Sequence, residues 1–271
     1  MAEPGGALAR ELAVASALAR AAGEVLLRHR AAGVTAGAKA SGEVVTAADL
    51  EADRVIRAGL AAAFPGDALL SEETPDDPAR LGCDRVWIVD PIDATSDYAA
   101  GGREHAVSIG LAIRGEAVLG VVHDPATGES FAGVVGEGAW LGGRAARVSD
   151  AADAHTAALT VSRKEWGRGL DRRCQGMRVR PVSSVAYKMA RVGVGLDDGM
   201  FSDRPRKEWD VCAGVAIVLA GGGRVTLLDG APVAFNRASV RLPMGIVVAG
   251  PALHGALREE LLRRGVGGAG R

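Results

Sequence analysis

Aromatic side chains are scarce, at 4% of 271 residues. A core has to be assembled from Ala, Val, Leu and Ile instead. The 48% hydrophobic content is enough to fill a sizeable one, which excludes wholesale disorder. No charge sign predominates: 32 Lys and Arg face 33 Asp and Glu, for a formal net charge of −1. The basic footprint of a nucleic-acid-binding domain is therefore missing. Cysteine is nearly absent. Cys83, Cys174 and Cys212 are odd in number and form no C-x-x-C pair, which excludes a disulfide framework and points to free thiols in a reducing cytoplasm. The longest apolar run, 211–223, is too short and glycine-rich for a bilayer, which needs about 20 residues. Glu3 and Pro4 precede an Ala/Arg helical pattern that lacks the form of a signal peptide. The expectation is a soluble cytoplasmic protein with no membrane or nucleic-acid partner.

Several common site motifs are also missing. There is no G-x-x-x-x-G-K-[ST] loop, no G-x-S-x-G elbow and no Cys/His set at zinc spacing. Gly193 and Gly195 lack the third glycine of a dinucleotide fingerprint.

What is present alternates in period. Leu8, Leu12, Ala15, Ala19, Ala22 and Leu26 recur at three- and four-residue steps and predict a helix over 7–30, ended by Gly33. Ala52, Ile56, Leu60 and Ala63 predict a second helix from Thr46 to the Phe64-Pro65-Gly66 stop. Strands are expected at 67–71, 85–89, 105–113, 117–123 and 130–135, with a turn at 124–128. The second half offers strands at 159–162 and 246–249 and helices at 185–194, 208–220 and 251–264, then a frayed tail over 265–271. Residues 75–78 read as a polar loop. Strands and helices interleave throughout, so the fold class is α/β or α+β, with layered sheets and helices. A length near 270 allows two ordinary domains. The 145–158 region, which contains an Ala/Asp-rich stretch at 150–158, is the best boundary, giving units 1–150 and 151–271.

The chemistry on offer is an array of carboxylates. Glu72-Glu73 ends a strand, Asp90-Pro91-Ile92-Asp93-Ala94-Thr95 ends the most hydrophobic strand, and Trp209-Asp210 opens a helix. These hard oxygen ligands suit Mg²⁺ together with phosphate oxygens. Asp90 emerges as its strand ends, Pro91 turns the chain without an N–H, and Asp93 can point back at the same ion with the Ile92 carbonyl beside it. Ala94, Thr95 and Ser96 then expose N–H groups at a helix start, where a phosphate can sit. Each piece alone has a plainer reading. Thr46-x-x-Asp49 is a capping box by pattern, Asp210 complements a helix dipole, and Glu72-Glu73 is an ordinary solvated pair.

Taken together, the segments resemble the inositol monophosphatase superfamily of Mg²⁺-dependent phosphatases, from about residue 7 to residue 265. Residues 87–95 match its W-I-x-D-P-[IL]-D-G-T signature, 209–214 its W-D-x-A-A-G signature, 45–49 its V-T-x-x-D segment and 71–74 its G-E-E segment. The resemblance leans toward 3′(2′),5′-bisphosphate nucleotidases. Ser184-Val185-Ala186-Tyr187-Lys188 is similar to their G-S-x-x-x-K stretch, 161–163 to V-S-R, 103–108 to G-E-F-T-V-N and 230–237 to G-x-P-L-x-Y-N-R. Ala94 replaces a signature glycine, and Ser183 replaces the glycine before Ser184. If residue 94 takes positive φ, alanine carries a penalty of roughly 1 kcal/mol or more; if it is helical, none.

The resemblance implies a layered αβαβα sandwich of the inositol monophosphatase and fructose-1,6-bisphosphatase type, a possible homodimer, and inhibition by Li⁺. It implies hydrolysis of a phosphate monoester by metal-activated water. Two to three Mg²⁺ are expected: one on Glu72, Asp90 and the Ile92 carbonyl, one on Asp90, Asp93 and Asp210, and a third near Glu72. Thr95 and Asp49, with Glu72 assisting, orient and deprotonate the water. Asp93, Ala94, Thr95, Ser184, Lys188 and Asp210 face substrate. Arg204, Arg206 and Lys207, with Lys188, favour a bisphosphorylated small molecule such as 3′-phosphoadenosine 5′-phosphate. The alternatives are an inositol or other sugar monophosphate phosphatase, and a degenerate binding or regulatory protein that keeps the fold without turnover.

Overall fold

The structure, a computed structural model, describes residues 6–34, 36–38 and 44–267. In chain order its elements are α1 (Ala9–Ala32), β1 (Ala36–Ala38), β2 (Val44–Thr46), α2 (Ala47–Ala63), β3 (Ala68–Ser71), β4 (Arg85–Asp93), α3 (Thr95–Ala99), β5 (Ala106–Ile113), β6 (Glu116–Asp124), β7 (Glu129–Val134), β8 (Gly138–Leu141) and β9 (Arg144–Ala146). There follow β10 (Ala158–Ser162), two short helices α4 (Arg163–Glu165) and α5 (Asp171–Arg173) around a kinked turn, β11 (Arg178–Val182), α6 (Val185–Gly193), β12 (Gly199–Phe201), α7 (Glu208–Ala220), β13 (Arg224–Leu227), β14 (Ile246–Ala249) and α8 (Pro251–Arg263).

Two large sheets organise these elements, and β1 and β2 form a separate antiparallel pair. Strands β3 to β9 form a seven-stranded sheet in chain order, and the other sheet has the order β11-β10-β12-β14-β13. Side-chain alternation along β4 explains the layering. Trp87 and Val89 face α1 and α2, packing with Ala19, Leu26, Ile56 and Leu60. Val86 and Ile88 face the other way, packing with Met189, Val211 and Val215 of α6 and α7. Helices α6 and α7 lie between the sheets, and Leu253, Leu257 and Leu261 of α8 cover the far face of the second sheet. The order helix–sheet–helix–sheet–helix is the expected αβαβα sandwich.

Helix α7 seats unusually deeply. Gly110, Gly120 and Gly133 are paired across β5, β6 and β7, making a row of bare backbone under the helix. A Cβ on Gly110 would stand 2.6 Å from Cys212 Sγ, and one on Gly133 2.6 Å from Ile217 Cα. The scarcity of aromatics and the abundance of glycine and alanine thus serve close helix–sheet approach.

Some sequence expectations shift. Strand β4 does not stop at Val89 but continues to Asp93 across a bulge between Asp90 and Asp93, because Pro91 has no N–H for the ladder. A 3₁₀ turn, Pro78–Gly82, follows the 75–78 loop. Strand β11 was not expected; its Pro181 is accommodated because β11 is an edge strand. Of the expected frayed tail, Val266 is fully buried and residues 268–271 lie outside the described residues. Among the described residues no helix is long and apolar enough to cross a membrane.

Candidate active site

The carboxylates converge at one edge of the inter-sheet layer. Glu72 follows β3, and its N–H donates to the Val89 carbonyl at 3.2 Å, extending the β3–β4 pairing and setting Glu72 beside Asp90. Asp90 lies opposite Ser108 on β5. The Ser108 hydroxyl donates to the Trp209 carbonyl at 3.4 Å, which brings the first turn of α7 and Asp210 to the same place. One oxygen each of Glu72, Asp90 and Asp210 lies within 4.8 Å of the others. Backbone amides fix two of these side chains: Asp90 Oδ1 accepts from Ile92 N–H at 3.0 Å, and Asp210 Oδ2 from Lys207 N–H at 2.9 Å.

Such a cluster repels itself. Burial, then Glu72, Asp93 and Asp210, push the Asp90 carboxyl well above the usual range. Burial and Asp93 raise Asp210 to about 7. Burial also raises Asp93, against the opposing pull of Ser184 and Lys188. A divalent cation fits this donor set, because all three side chains offer hard oxygens and its charge removes their mutual repulsion.

Thr95 and Asp49 form the expected pair. Thr95 Oγ1 lies 3.1 Å from Asp49 Oδ1 and 3.0 Å from the Ile92 carbonyl, sharing its proton between two acceptors. Asp49 Oδ2 accepts at 2.7 Å from both the N–H and the hydroxyl of Thr46, completing a capping box at the start of α2. The same carboxylate therefore caps a helix and holds Thr95. One turn further along α2, buried Asp53 accepts from the Ser71 hydroxyl and from Thr74 Oγ1, the latter at 3.0 Å, bracketing Glu72-Glu73 from both sides. Asp53 escaped the sequence reading; its i+4 spacing from Asp49 was the available signal.

Ala94 is left-handed, with φ 78° and ψ 47°, immediately before α3. The strained alternative for this position therefore holds.

Asp93 is gripped from the second half of the chain. Its Oδ2 accepts from Ser184 Oγ at 2.7 Å and Ala186 N–H at 2.6 Å, at the start of α6. Asp93 does not join the tight trio of Glu72, Asp90 and Asp210 but flanks it. Lys188 is fully buried, and its ammonium donates to the carbonyls of Val182 (2.8 Å), Ser183 (3.2 Å) and Ser184 (2.7 Å). Burial pulls it down to about 7, with Asp93 pulling the other way. The basic loop is mostly engaged within the chain. Arg206 pairs with Glu165 and Ser202, and Lys207 lies 4.9 Å over the Trp209 ring; Arg204 is the exposed member. On the opposite side, Lys164 reaches the Ser96 hydroxyl at 3.3 Å. Cys212 is buried, which pushes its thiol up and suits packing rather than nucleophilic attack.

Comparison with known proteins fits this arrangement. The inositol monophosphatase family model matches residues 8–263. A fructose-1,6-bisphosphatase/inositol-1-monophosphatase of Thermotoga maritima is 33% identical over 193 residues, covering 69% of this chain and 73% of its own. A 3′-phosphoadenosine 5′-phosphate phosphatase of Mycobacterium leprae is 33% identical over 265 residues, covering 92% and 94%. Among solved structures, an IMPase from Thermotoga maritima superimposes with a TM-score of 0.82 at 28% identity, covering 94% of this chain and 98% of that one. With the signature carboxylates gathered at one point, these matches show that the chain is a phosphatase of the inositol monophosphatase family.

Proposed function

We propose that this protein is a Mg²⁺-dependent phosphoric monoester hydrolase that removes the 3′(2′)-phosphate of a phosphorylated nucleoside such as 3′-phosphoadenosine 5′-phosphate. The reaction class rests on one observation, the meeting of Glu72, Asp90 and Asp210 oxygens within 4.8 Å beside the Thr95–Asp49 pair. The substrate rests on the mycobacterial relative, whose match spans 92% of this chain. We read residues 1–150 and 151–271 as two units with the site at their meeting, since one sheet draws on 68–146 and the other on 158–249.

Glu72, Asp90, Asp93, Asp210 and the Ile92 carbonyl would hold two or three Mg²⁺. When bound, these ions supply positive charge that stabilises the negative charge developing on the transferring phosphoryl group and its leaving oxygen. The chain does the rest. The N–H groups of Ala94, the left-handed N-cap residue, and of Thr95, in the first turn of α3, cradle the phosphate. The attacking water donates to Thr95 Oγ1. Thr95 passes its proton to Asp49 Oδ1, and Glu72 helps to orient the water. The new P–O bond forms as the bond to the ribose oxygen breaks, and the alkoxide takes a proton from a solvent water. Asp93, held by Ser184, orients the substrate side.

A second reading, an inositol or sugar monophosphate phosphatase, draws on the Thermotoga relative and on the internal pairing of Arg206 and Lys207. Phosphate release from 3′-phosphoadenosine 5′-phosphate, adenosine 5′-monophosphate and inositol 1-phosphate, with and without Mg²⁺, separates the two. A strong preference for the bisphosphate is expected. Equal or better turnover of inositol 1-phosphate moves the chain to the second reading, and no Mg²⁺-dependent release from any substrate defeats both.

A further inference from the structure

Lysine is almost never fully buried without a partner, because a desolvated ammonium is costly. Lys188 is fully buried, and its three donors meet three acceptors, the carbonyls of Val182, Ser183 and Ser184. These are the last residue of β11 and the two that join it to α6. Three successive carbonyls converging on one point repel one another unless a cation sits there. The amides of the same stretch point elsewhere. Ser183 N–H donates to Glu104 Oε2 at 2.9 Å and Ala186 N–H to Asp93 Oδ2 at 2.6 Å. Ser184 Oγ adds the second bond to that Asp93 oxygen while also accepting from Tyr187 N–H at 3.0 Å.

We propose that Lys188 is a positioning residue: its ammonium gathers the three carbonyls and so turns the amide and hydroxyl edge of the β11–α6 turn onto Asp93, fixing that carboxylate for the metal site. The proposal rests on the functional reading above in taking Asp93 as part of that site. It departs from the expectation that Lys188 touches substrate. With Oδ2 committed to Ser184 and Ala186, Asp93 presents Oδ1 in a fixed direction. A neutral side chain of similar length would leave the carbonyls unsatisfied and let the turn rotate away. A role through the turn affects every substrate alike. A role on a second phosphate affects only bisphosphates.

The test compares wild type, Lys188→Met, Ser184→Ala and the double variant. The first readout is the Mg²⁺ concentration that gives half the maximal rise in unfolding temperature, which needs no substrate. The second is kcat and KM on 3′-phosphoadenosine 5′-phosphate and inositol 1-phosphate. Both single variants are expected to need roughly 10- to 100-fold more Mg²⁺ and to lose kcat by similar factors on both substrates, with KM nearly unchanged. The double variant is expected to add little, since both changes cut one chain of contacts. Should Lys188→Met fail to fold, Lys188→Gln, which keeps a donor but no charge, takes its place, and Ser184→Ala sets the size of the loss expected when the grip on Asp93 is cut directly. An unchanged Mg²⁺ midpoint in the folded variants, or a loss confined to KM for the bisphosphate, overturns the proposal. A wild-type protein with no Mg²⁺ response is a different result; it removes the metal reading itself.

Discussion

Ala94 occupies a backbone well that suits glycine, at φ 78°. Its Cβ crowds the following carbonyl there, at roughly 1–2 kcal/mol. Glycine would relieve that strain but loses more chain entropy on folding. The balance predicts that Ala94→Gly gains about 0.5–1 kcal/mol, a rise of roughly 1–4 °C in unfolding midpoint. No change in the midpoint would mean that the surrounding turn already relaxes the strain. Asp90→Asn has the opposite sign of interest: it keeps the shape and removes a charge. It is expected to cut kcat by more than about 100-fold and to weaken stabilisation by Mg²⁺, read by the same melting curves. The carboxylates were legible in the sequence because motif spacing alone brings them together. The state of Ala94 was not, since both backbone wells were open until the turn was seen. Nor were the tasks of Asp53 and Lys188: the partner of Asp53 is Ser71, 18 positions away, and the partners of Lys188, though only four to six positions off, are backbone carbonyls that no side-chain pattern marks.

Helices α1 and α2 were readable from their apolar stripes, whereas α7 and strands β4 and β5, buried on nearly every side, were readable from unbroken apolar or β-branched runs and the residues that end them. Strands β12 and β13 are three and four residues long, too short for a period to register. Strand β11 hid behind Pro181 and its arginines. The glycine row was invisible for another reason. Gly110, Gly120 and Gly133 become neighbours only through strand register, which no single strand encodes. Its importance is testable. Gly133→Ala sets a Cβ 2.6 Å from Ile217 Cα in α7, backbone that cannot simply rotate aside. A loss of at least about 1–3 kcal/mol is expected, seen as a lower unfolding midpoint in urea or heat. Tolerance of alanine there would show that α7 floats on the sheet.

Over the whole molecule, the layers enclose like charges that folding alone does not neutralise. Asp210 titrates at about 7 in the fold, against an ordinary 3.8. Between those values the metal-free fold keeps protons that the unfolded chain has released, so this group's contribution to stability falls as pH rises. A divalent ion takes the protons' place and releases them. The rise in unfolding temperature caused by Mg²⁺, measured against EDTA, is therefore expected to be larger at pH 7 than at pH 5. Buried His105 and His123, both shifted below the usual histidine value, drive the opposite trend, but equally with and without the ion, so they cancel in the difference. A pH-independent Mg²⁺ effect would count against carboxylate ligation.

The seating of α7 sets one more property. Asp90 stands on the sheet and Asp210 on the helix, joined through Ser108 and Trp209. Beneath the helix, peptide meets peptide at Gly120 and Gly133, while the small Cys212 side chain sits over Gly110. Such a contact has no soft layer to compress or swell. The gap between the two carboxylates is thus a mechanical dimension of the sandwich, its thickness at one point. Pressure or heat should strain the surrounding loops long before it alters the width of the carboxylate cradle.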